Sequence, residues 1–223
     1  MARAVDPMKK VIKATLTLAA ENGWRDLTLE EIAAKSKVPL KDLRGLVRDK
    51  AQILERFAAD IDAEVLGSLE PELADEVPRD RLFDVLMRRF EILAPHKDAL
   101  RRIAADLKSS PVDHLALAGS GMRSMQWMMA GAGVETPGLK GLVQINALGC
   151  LYMSVFRTWL DDDDPGLART MAALDQGLRR GETWLKNAQV PLGLGQALAQ
   201  FVCSYRRARK QRGTGETEPA PTA

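Results

Sequence analysis

The residues best suited to chemistry in this sequence are the aspartate run Asp161–Asp164 and two histidines, His96 and His114. Calcium loops alternate their ligands and need a central glycine and a later glutamate, but Pro165 interrupts that spacing here. The run is better placed to cap the following helix, because acidic side chains stabilise the positive end of a helix. Neither histidine has a partner at catalytic spacing, and no nucleophile-elbow or zinc-protease motif occurs. We therefore expect no metal site, no cofactor and no enzymatic activity.

The composition is that of a helical globular protein. The 223 residues are 46% hydrophobic and 28% charged but only 5% aromatic, which is too apolar for a disordered chain. Cys150 and Cys203 cannot supply a disulfide framework, and with no signal peptide in view they predict a cytoplasmic protein. The charge-free run from Gly141 to Phe156 contains Gln144 and Asn146, which predicts a buried helix rather than a membrane span.

Charge is distributed unevenly along the chain. Residues 1–56 hold 12 Lys and Arg against 8 Asp and Glu, and residues 57–185 hold 14 against 20. Residues 186–215 hold 6 basic side chains and no acidic one. Two basic ends therefore flank an acidic middle, which predicts two contacts with anionic partners.

Hydrophobic periodicity predicts an all-α protein of about ten helices. Helix signals occur at Asp6-Pro7, at Thr28 with Glu31 in capping-box spacing, and at Asp49. Later helices are predicted at 97–108, 112–130, 138–160 and 165–187, the last with Leu167, Met171, Leu174, Leu178 and Leu185 on its inner face. The predicted organisation is a helix-turn-helix domain at 1–56, a connecting long helix at 57–69, a linker at 70–80, a helical ligand-binding and dimerisation domain at 81–212, and a disordered tail at 213–223.

The strongest functional pattern lies at residues 29–46. Two short helices joined by a turn at Lys37–Pro39 need apolar residues at fixed offsets and one small residue where the helices cross. The apolar positions are Ile32, Val38, Leu43 and Leu46, and the small one is Ala33. This is the pattern of a helix-turn-helix motif, whose second helix enters the DNA major groove. An ordinary helical hairpin has the same pattern, but a helix before it and a long helix after it favour DNA binding.

Residues 8–57 resemble the DNA-binding domain of the TetR family of transcriptional regulators, in the order of elements and in the phrases LTLEEIAAKSKV and RDKAQIL. The resemblance implies phosphate contacts by Thr28 and Lys50, at the starts of the second and fourth helices. The sequence departs from the family at Lys37, where glycine is usual, and at Arg44 and Val47, which replace a tyrosine and a phenylalanine. Arg44 could bind phosphate or guanine, whereas Leu40 and Gly45 offer little for base readout. The implied DNA-contacting residues are Thr28, Lys37, Pro39, Lys41, Asp42, Arg44, Arg48 and Lys50.

Most of residues 11–212 also resembles, at low identity, the lipid-binding accessory family of ubiquinone (coenzyme Q) biosynthesis. The resemblance lies in KVIKATLTLAAENGW, in RRFEILAPHKDALRRI and in the segment from LGCLYMSVFRTWL through LDQGLRRG. That family is TetR-shaped without DNA binding, and it implies a hydrophobic pocket for an isoprenoid or acyl chain. The predicted pocket residues are Phe90, Met125, Trp127, Met128, Cys150, Met153, Phe156 and Trp159. Such Met and aromatic stripes also occur in packed cores, although clustered methionines suit an adaptable cavity.

The last predicted helix, from Leu194 to Arg212, carries an apolar stripe followed by five cations. It could lie weakly on an anionic membrane surface or dock on the helical bundle with a solvated basic end.

Two hypotheses follow. The first is a homodimeric TetR-type regulator with a hydrophobic ligand pocket, in which helices 138–160 and 165–187 form the dimer seam and Gly141, Ala147 and Gly149 allow close approach. The second is a lipid-handling accessory protein that kept the shape and lost DNA binding.

Overall fold

The computed structural model describes residues 6–69, 76–108 and 111–187, without the side chains of residues 111–116 and 184–187. Every regular element in this part of the chain is helical, which confirms the predicted all-α class. The elements are α1 (Pro7–Asn22), α2 (Leu29–Ser36), α3 (Leu40–Leu46), α4 (Lys50–Gly67), α5 (Pro78–Leu93), a 3-10 turn (Ala94–His96), α6 (Lys97–Leu107), α7 (Pro111–Gly131), α8 (Gly138–Leu160) and α9 (Ala168–Asn187). The last predicted helix, from Leu194 to Arg212, and the predicted tail at 213–223 lie outside the described residues.

Helices α1–α3 form an N-terminal head whose elements begin and end at the predicted signals. Asp6 Oδ1 accepts the backbone N–H of Met8 at 2.9 Å, and Gly23 ends α1 with a φ of +90°. Thr28 and Glu31 form the predicted capping box at the start of α2. The buried apolar residues of the head belong to the same core cluster as those of the later helices; they include Val11, Leu16, Trp24, Ile32, Val38 and Leu43.

Helix α4 belongs to both the head and the rest of the molecule. Asp49 Oδ1 accepts the backbone N–H of Gln52 at 2.8 Å, which confirms the predicted cap. Phe57, Ile61 and Val65 are buried at helical spacing, and α4 packs against α1 in the head and against α5 and α7 beyond it. Helix α4 therefore connects the head to the remaining helices.

Helices α5–α9 form a body in which α8 packs against both α7 and α9. The predicted bounds of α8 are confirmed, whereas α5 begins at Pro78, inside the segment 70–80 predicted as a linker. Proline at the first helical position is pre-organised for a helix start, which explains the earlier beginning. Helix α9 begins at Ala168 rather than at Pro165, because Leu167 before it has a left-handed φ of +50°.

The inner face of α9 differs from the predicted one. Met171, predicted to face inward, is 42% exposed, and Thr170 is fully buried beside it. Leu174 and Leu178 are buried as predicted. A Cβ at Gly177 would lie 2.1 Å from Leu151 Cδ1, so α9 lies very close to α8 at this glycine.

Helix α8 is long and apolar enough to cross a membrane by length and composition alone, with 23 residues and a mean hydropathy of 1.3 over its most apolar window. A central helix of a helical body passes the same test, and α8 packs against two neighbouring helices. However, only 33% of that window is buried, so α8 is less enclosed than its apolar sequence predicts. Its exposed large apolar side chains are Leu139, Leu142 and Met153.

The small residues of α8 face their own chain. A Cβ at Gly141 would lie 1.9 Å from the backbone oxygen of Thr136, and one at Gly149 would lie 3.1 Å from Met122 Sδ in α7. Ala147 lines a cavity inside the body. These positions shorten contacts within the molecule, and their predicted role at a seam between two chains stays a prediction.

A buried polar network ties α4 to the body. Arg89 of α5 pairs with Asp62 of α4, and both side chains are less than a tenth exposed. Arg89 Nε donates to Tyr152 Oη of α8 at 3.1 Å, and Ser124 Oγ of α7 donates to Asp62 Oδ2 at 2.5 Å. Burial raises the pKa of Tyr152, so its phenol stays neutral beside the ion pair. Four helices therefore meet at one desolvated charge pair.

The aspartate run caps the start of α9. Asp162 Oδ2 accepts the backbone N–H of Thr170 at 2.8 Å and its hydroxyl at 2.6 Å. Asp164 accepts the backbone N–H groups of Gly166 and Ala168 at 3.2 and 3.3 Å. The predicted capping role is confirmed for these two aspartates.

Candidate nucleic-acid interface and ligand cavity

The turn between α2 and α3 holds α3 at the surface of the head. Lys37 adopts the left-handed conformation, with φ 57° and ψ 28°, which costs a non-glycine residue roughly 1 kcal/mol. Ser36 Oγ donates to the carbonyl of Ala33 at 3.2 Å and accepts the N–H of Val38 at 3.3 Å. The strained position is thus held by short-range hydrogen bonds on both sides of the turn.

Helix α3 is anchored by one side chain and exposed on its outer side. Leu43 is 1% exposed and fixes the helix to the head core, whereas Leu40 is 47% exposed. Lys41, Asp42, Arg44 and Gly45 are also exposed, and a Cβ at Gly45 would meet nothing within 4 Å. We call Leu40, Lys41, Arg44 and Gly45 the recognition face. Its two cations are three residues apart, so they lie on the same side of the helix.

Lys50 makes contacts within the head that its sequence position does not predict. Its ammonium donates to the carbonyls of Trp24, Arg25 and Leu27 at 2.9, 2.7 and 3.3 Å. It also lies 5.1 Å from the centre of the Trp24 ring. Three carbonyls match the three donors of an ammonium group, so Lys50 holds the α1–α2 loop, and its predicted phosphate contact stays a prediction.

The other predicted DNA-contacting residues precede or follow the recognition face along the chain. The hydroxyl of Thr28 is used by the capping box, and hydrogen bonds from the N–H and hydroxyl of Thr28 lower the pKa of Glu31. Lys37 and Pro39 are exposed at the turn before α3. Arg48 is exposed after it, and its backbone N–H donates to Gln52 Oε1 at 2.7 Å.

A contact between the head and the body is not visible in the sequence. Asp106 Oδ2 of α6 accepts the backbone N–H groups of Trp24 and Arg25 at 2.7 and 3.1 Å. These two hydrogen bonds, that from Trp24 first, hold the pKa of Asp106 below its usual range. Lys50 and Asp106 therefore bind the carbonyl and amide sides of the same loop. No sequence signal links residues more than 80 positions apart.

The predicted pocket residues of the core form an aromatic cluster. The ring centres of Phe90 and Tyr152 lie 5.3 Å apart, and Trp159 lies 5.5 Å from both Phe90 and Phe156. Phe90, Met125, Met128 and Trp159 are at most 2% exposed, and Phe156 is half-buried. These side chains fill space rather than surround it.

The remaining predicted pocket residues lie at the surface. Trp127 is 56% exposed, Met153 is 40% exposed, and Cys150 is exposed as well. The thiol of Cys150 is partly shielded from water, and this desolvation raises its pKa. None of the eight predicted residues lines the cavity described next.

A cavity of about 340 Å³ opens among α5, α7, α8 and α9. Its walls are mostly apolar, and its polar members are Arg79, Gln144 and Glu182. The apolar lining residues include Leu82, Met129, Val134, Leu148, Leu151 and Leu178. An apolar cavity with a few polar groups is the usual form of a small-molecule site.

The sequence matches no protein-family model and no curated protein sequence. The fold is similar to solved structures of TetR transcriptional regulators. One from Nitrosomonas europaea has a TM-score of 0.63 at 19% identity and covers 80% of this chain and 99% of its own. One from Rhodococcus sp. RHA1 has a TM-score of 0.59 at 18% identity and covers 83% of this chain and 97% of its own.

A TetR-family regulator from Streptomyces coelicolor covers 93% of this chain and all of its own, with a TM-score of 0.51 at 13% identity. The described chain therefore has the fold of TetR transcriptional regulators, a helix-turn-helix head on an all-helical body. The resemblance to the accessory family of ubiquinone biosynthesis receives no support from these comparisons.

Proposed function

We propose that this protein is a TetR-type transcriptional regulator that binds double-stranded DNA through the recognition face of α3 and takes a small hydrophobic ligand in the body cavity. It acts in the cytoplasm as a homodimer. The observation that carries the proposal is the recognition face itself: an outward, cationic helix surface at the helix-turn-helix position of this fold. A buried or acidic α3 would have been incompatible with it.

The recognition face has the shape and charge for a major groove. A helix is about 10–12 Å across with its side chains, which fits a major groove about 12 Å wide, and the seven residues of α3 extend about 10 Å along it. Arg44 can pair with guanine or phosphate, and Lys41 adds a second cation on the same side. Because Gly45 has no side chain, the helix backbone can approach the groove floor closely at that point.

The DNA-binding proposal is tested with duplexes selected by the full-length protein from a random-sequence pool. We expect Arg44→Ala to weaken binding to the selected duplex and to relax its sequence preference at one position by about 1–3 kcal/mol. Lys41→Ala should weaken binding to all duplexes alike and lower the slope of log affinity against log salt by about 1. Arg88→Ala, at an exposed position of α5, is the matched control and should bind as the wild type does.

Two outcomes would refute this assignment. The first is a wild-type protein that enriches no duplex from the pool. The second is a selected duplex that binds equally well to the wild type and to the Arg44 and Lys41 variants.

The homodimer is supported by the outer surface of α8. Leu139 and Leu142 are 57% and 53% exposed, and Met153 lies further along the same helix. Exposed apolar patches of this kind mark interaction sites, and a two-fold dimer would bury each patch against its copy. Sedimentation of the wild type should give a dimer, and Leu142→Glu should shift it towards the monomer, whereas Arg157→Glu on the same helix should shift it less. A wild type that sediments as a monomer at micromolar concentration contradicts the dimer.

Ligand control is supported by polar contacts that connect the body with the head, in addition to the packing of α1 on α6. Helix α4 is fixed to the body by the Asp62–Arg89 pair, and the α1–α2 loop is fixed to α6 by Asp106. A ligand that binds one arrangement of α5–α9 more tightly shifts the equilibrium between two positions of the head. The free energy of that shift is no larger than the difference in the ligand's binding free energy for the two arrangements.

A further inference from the structure

Leu40, the first residue of α3, is an exposed apolar residue beside the cations of the recognition face. In the described head, residues 6–49, it is the one large apolar side chain that stays exposed, at 47%. A single exposed leucine is common on protein surfaces, but this one begins the helix whose next apolar side chain, Leu43, is buried in the core. The outer side of Leu40 is therefore available to whatever covers the recognition face.

Arg44 lies one helical turn beyond Leu40 and has no partner within the part of the chain that the structure describes. Other cations of the head are already used: Lys35 lies 3.4 Å from a carboxylate oxygen of Glu21, and Lys50 binds three carbonyls. A guanidinium without an internal partner keeps its N–H donors for an acceptor outside the protein. In the major groove, the acceptor pair that matches its fork is O6 and N7 of guanine.

The spacing of these two side chains is compatible with the spacing of bases in DNA. Residues four positions apart in a helix lie on the same side, about 6 Å apart along its axis. Successive bases are about 3.4 Å apart along a strand, so Leu40 and Arg44 reach base pairs one or two steps apart. Asp42 is two positions from both, so it lies on a different side of the helix.

Leucine restricts the identity of the second base pair. Its side chain has no hydrogen-bond donor or acceptor, so it offers a base edge only an apolar contact. Thymine is the one base that presents a methyl group in the major groove. An apolar side chain at the position of Leu40 therefore favours thymine at the contacted base pair.

We propose that each half-site of the bound DNA contains a guanine that pairs with Arg44 and, one or two base pairs away, a thymine whose 5-methyl group packs against Leu40. The inference rests on the proposed function, because it assigns the base readout of the same recognition face. Leu40 and Arg44 are then the specificity-determining residues of α3, whereas Lys41 contributes affinity without base preference.

The experiment removes single groups from a duplex that the full-length wild type has selected from a random-sequence pool. The thymines of one half-site are replaced one at a time by deoxyuridine, which lacks only the 5-methyl group. At one thymine we expect the replacement to weaken wild-type binding about fourfold, the effect of withdrawing one methyl group from an apolar contact. Replacing the guanine by 7-deazaguanine, which lacks the N7 acceptor, should weaken binding about fivefold or more.

Two variants connect each base group with its side chain. In Leu40→Ala the loss of affinity caused by deoxyuridine should disappear while the loss caused by 7-deazaguanine remains, and Arg44→Ala should show the opposite pattern. Lys41→Ala, at the neighbouring position of the recognition face, is the control: it should bind all duplexes more weakly but keep both losses. Because Leu40 is exposed, its replacement leaves the core of the head intact, and circular dichroism checks the fold.

Three results would each overturn the proposal: selected half-sites with no thymine within two base pairs of the guanine, no deoxyuridine position that weakens wild-type binding, or a deoxyuridine effect that Leu40→Ala leaves unchanged. Each of these is obtained with a duplex that the protein has selected, so DNA binding itself is not contradicted. A wild type that enriches no duplex contradicts the proposed function, and this base readout with it.

Discussion

Removing Arg89 should destabilise the protein more than any change to a surface charge. The Arg89→Met variant keeps most of the side-chain volume but leaves the Asp62 carboxylate buried, with Ser124 as its remaining hydrogen-bond donor in the network. An uncompensated buried charge costs about 3–5 kcal/mol in the free energy of unfolding. For a chain of this length, 1 kcal/mol shifts the melting temperature by about 2–4 °C, so the expected decrease is about 6–20 °C.

The assay is thermal and urea unfolding followed by circular dichroism, with a matched neighbour as control. Arg88→Met makes the same substitution one position earlier in α5, where the guanidinium is exposed and 3.4 Å from Glu91. Exposed pairs contribute about 0–1 kcal/mol, so this variant should melt within a few degrees of the wild type. The double variant Asp62→Leu with Arg89→Met removes both charges and should be less destabilised than Arg89→Met alone.

Equal losses of stability in Arg89→Met and Arg88→Met would mean that burial of the Asp62–Arg89 pair contributes nothing. The second contradicting result is a double variant whose loss of stability equals the sum of the losses in its two single variants. That additivity would mean that Asp62 and Arg89 are not coupled.

Three further predictions concern the head. Lys37→Gly should be more stable than Lys37→Ala by about 1 kcal/mol in urea unfolding, because glycine adopts the left-handed conformation of residue 37 without strain. Equal urea midpoints of the two variants would contradict this. Lys50→Met should lower the free energy of unfolding by about 1–3 kcal/mol, since three loop carbonyls lose their donor. Arg48→Met, at an exposed position, should not lower it. A DNA-binding defect in Lys50→Met without loss of stability would instead support a phosphate contact. Hydrogen bonds from the backbone N–H groups of Trp24 and Arg25, in that order of size, lower the pKa of Asp106 in the folded protein. The carboxylate therefore stabilises the fold fully above about pH 4, and this contribution is lost as the pH falls further. The urea midpoints of the wild type and Asp106→Ala should therefore differ at pH 7 and converge towards pH 3, and a constant difference would exclude the carboxylate as the cause.

Much of the head was predictable because its signals are local. The cap at Asp6, the capping box at Thr28, the turn at Lys37–Pro39 and the cap at Asp49 each depend on residues within about four positions. Capping hydrogen bonds form between neighbours in sequence, so the residue types at fixed offsets are sufficient to place them.

The ligand cavity was not predictable in the same way. Methionine and aromatic residues at helical spacing mark an apolar surface, but the sequence does not reveal whether neighbouring helices fill that surface or leave a gap. In the structure Phe90 and Trp159 are packed by other rings, and Trp127 faces outward. The gap lies instead where Ala147 and Gly181 supply little side-chain volume.

By itself, the sequence determined the helical class, most helix bounds in the described chain and the exposed cationic character of α3, since these depend on local propensity, capping and periodicity. Only the tertiary structure decided that Lys50 binds carbonyls, that Asp106 joins the head to the body and that Asp62 meets Arg89. Each of those contacts joins residues more than twenty positions apart. Their partners are chosen by how the helices pack, which no short stretch of the chain encodes.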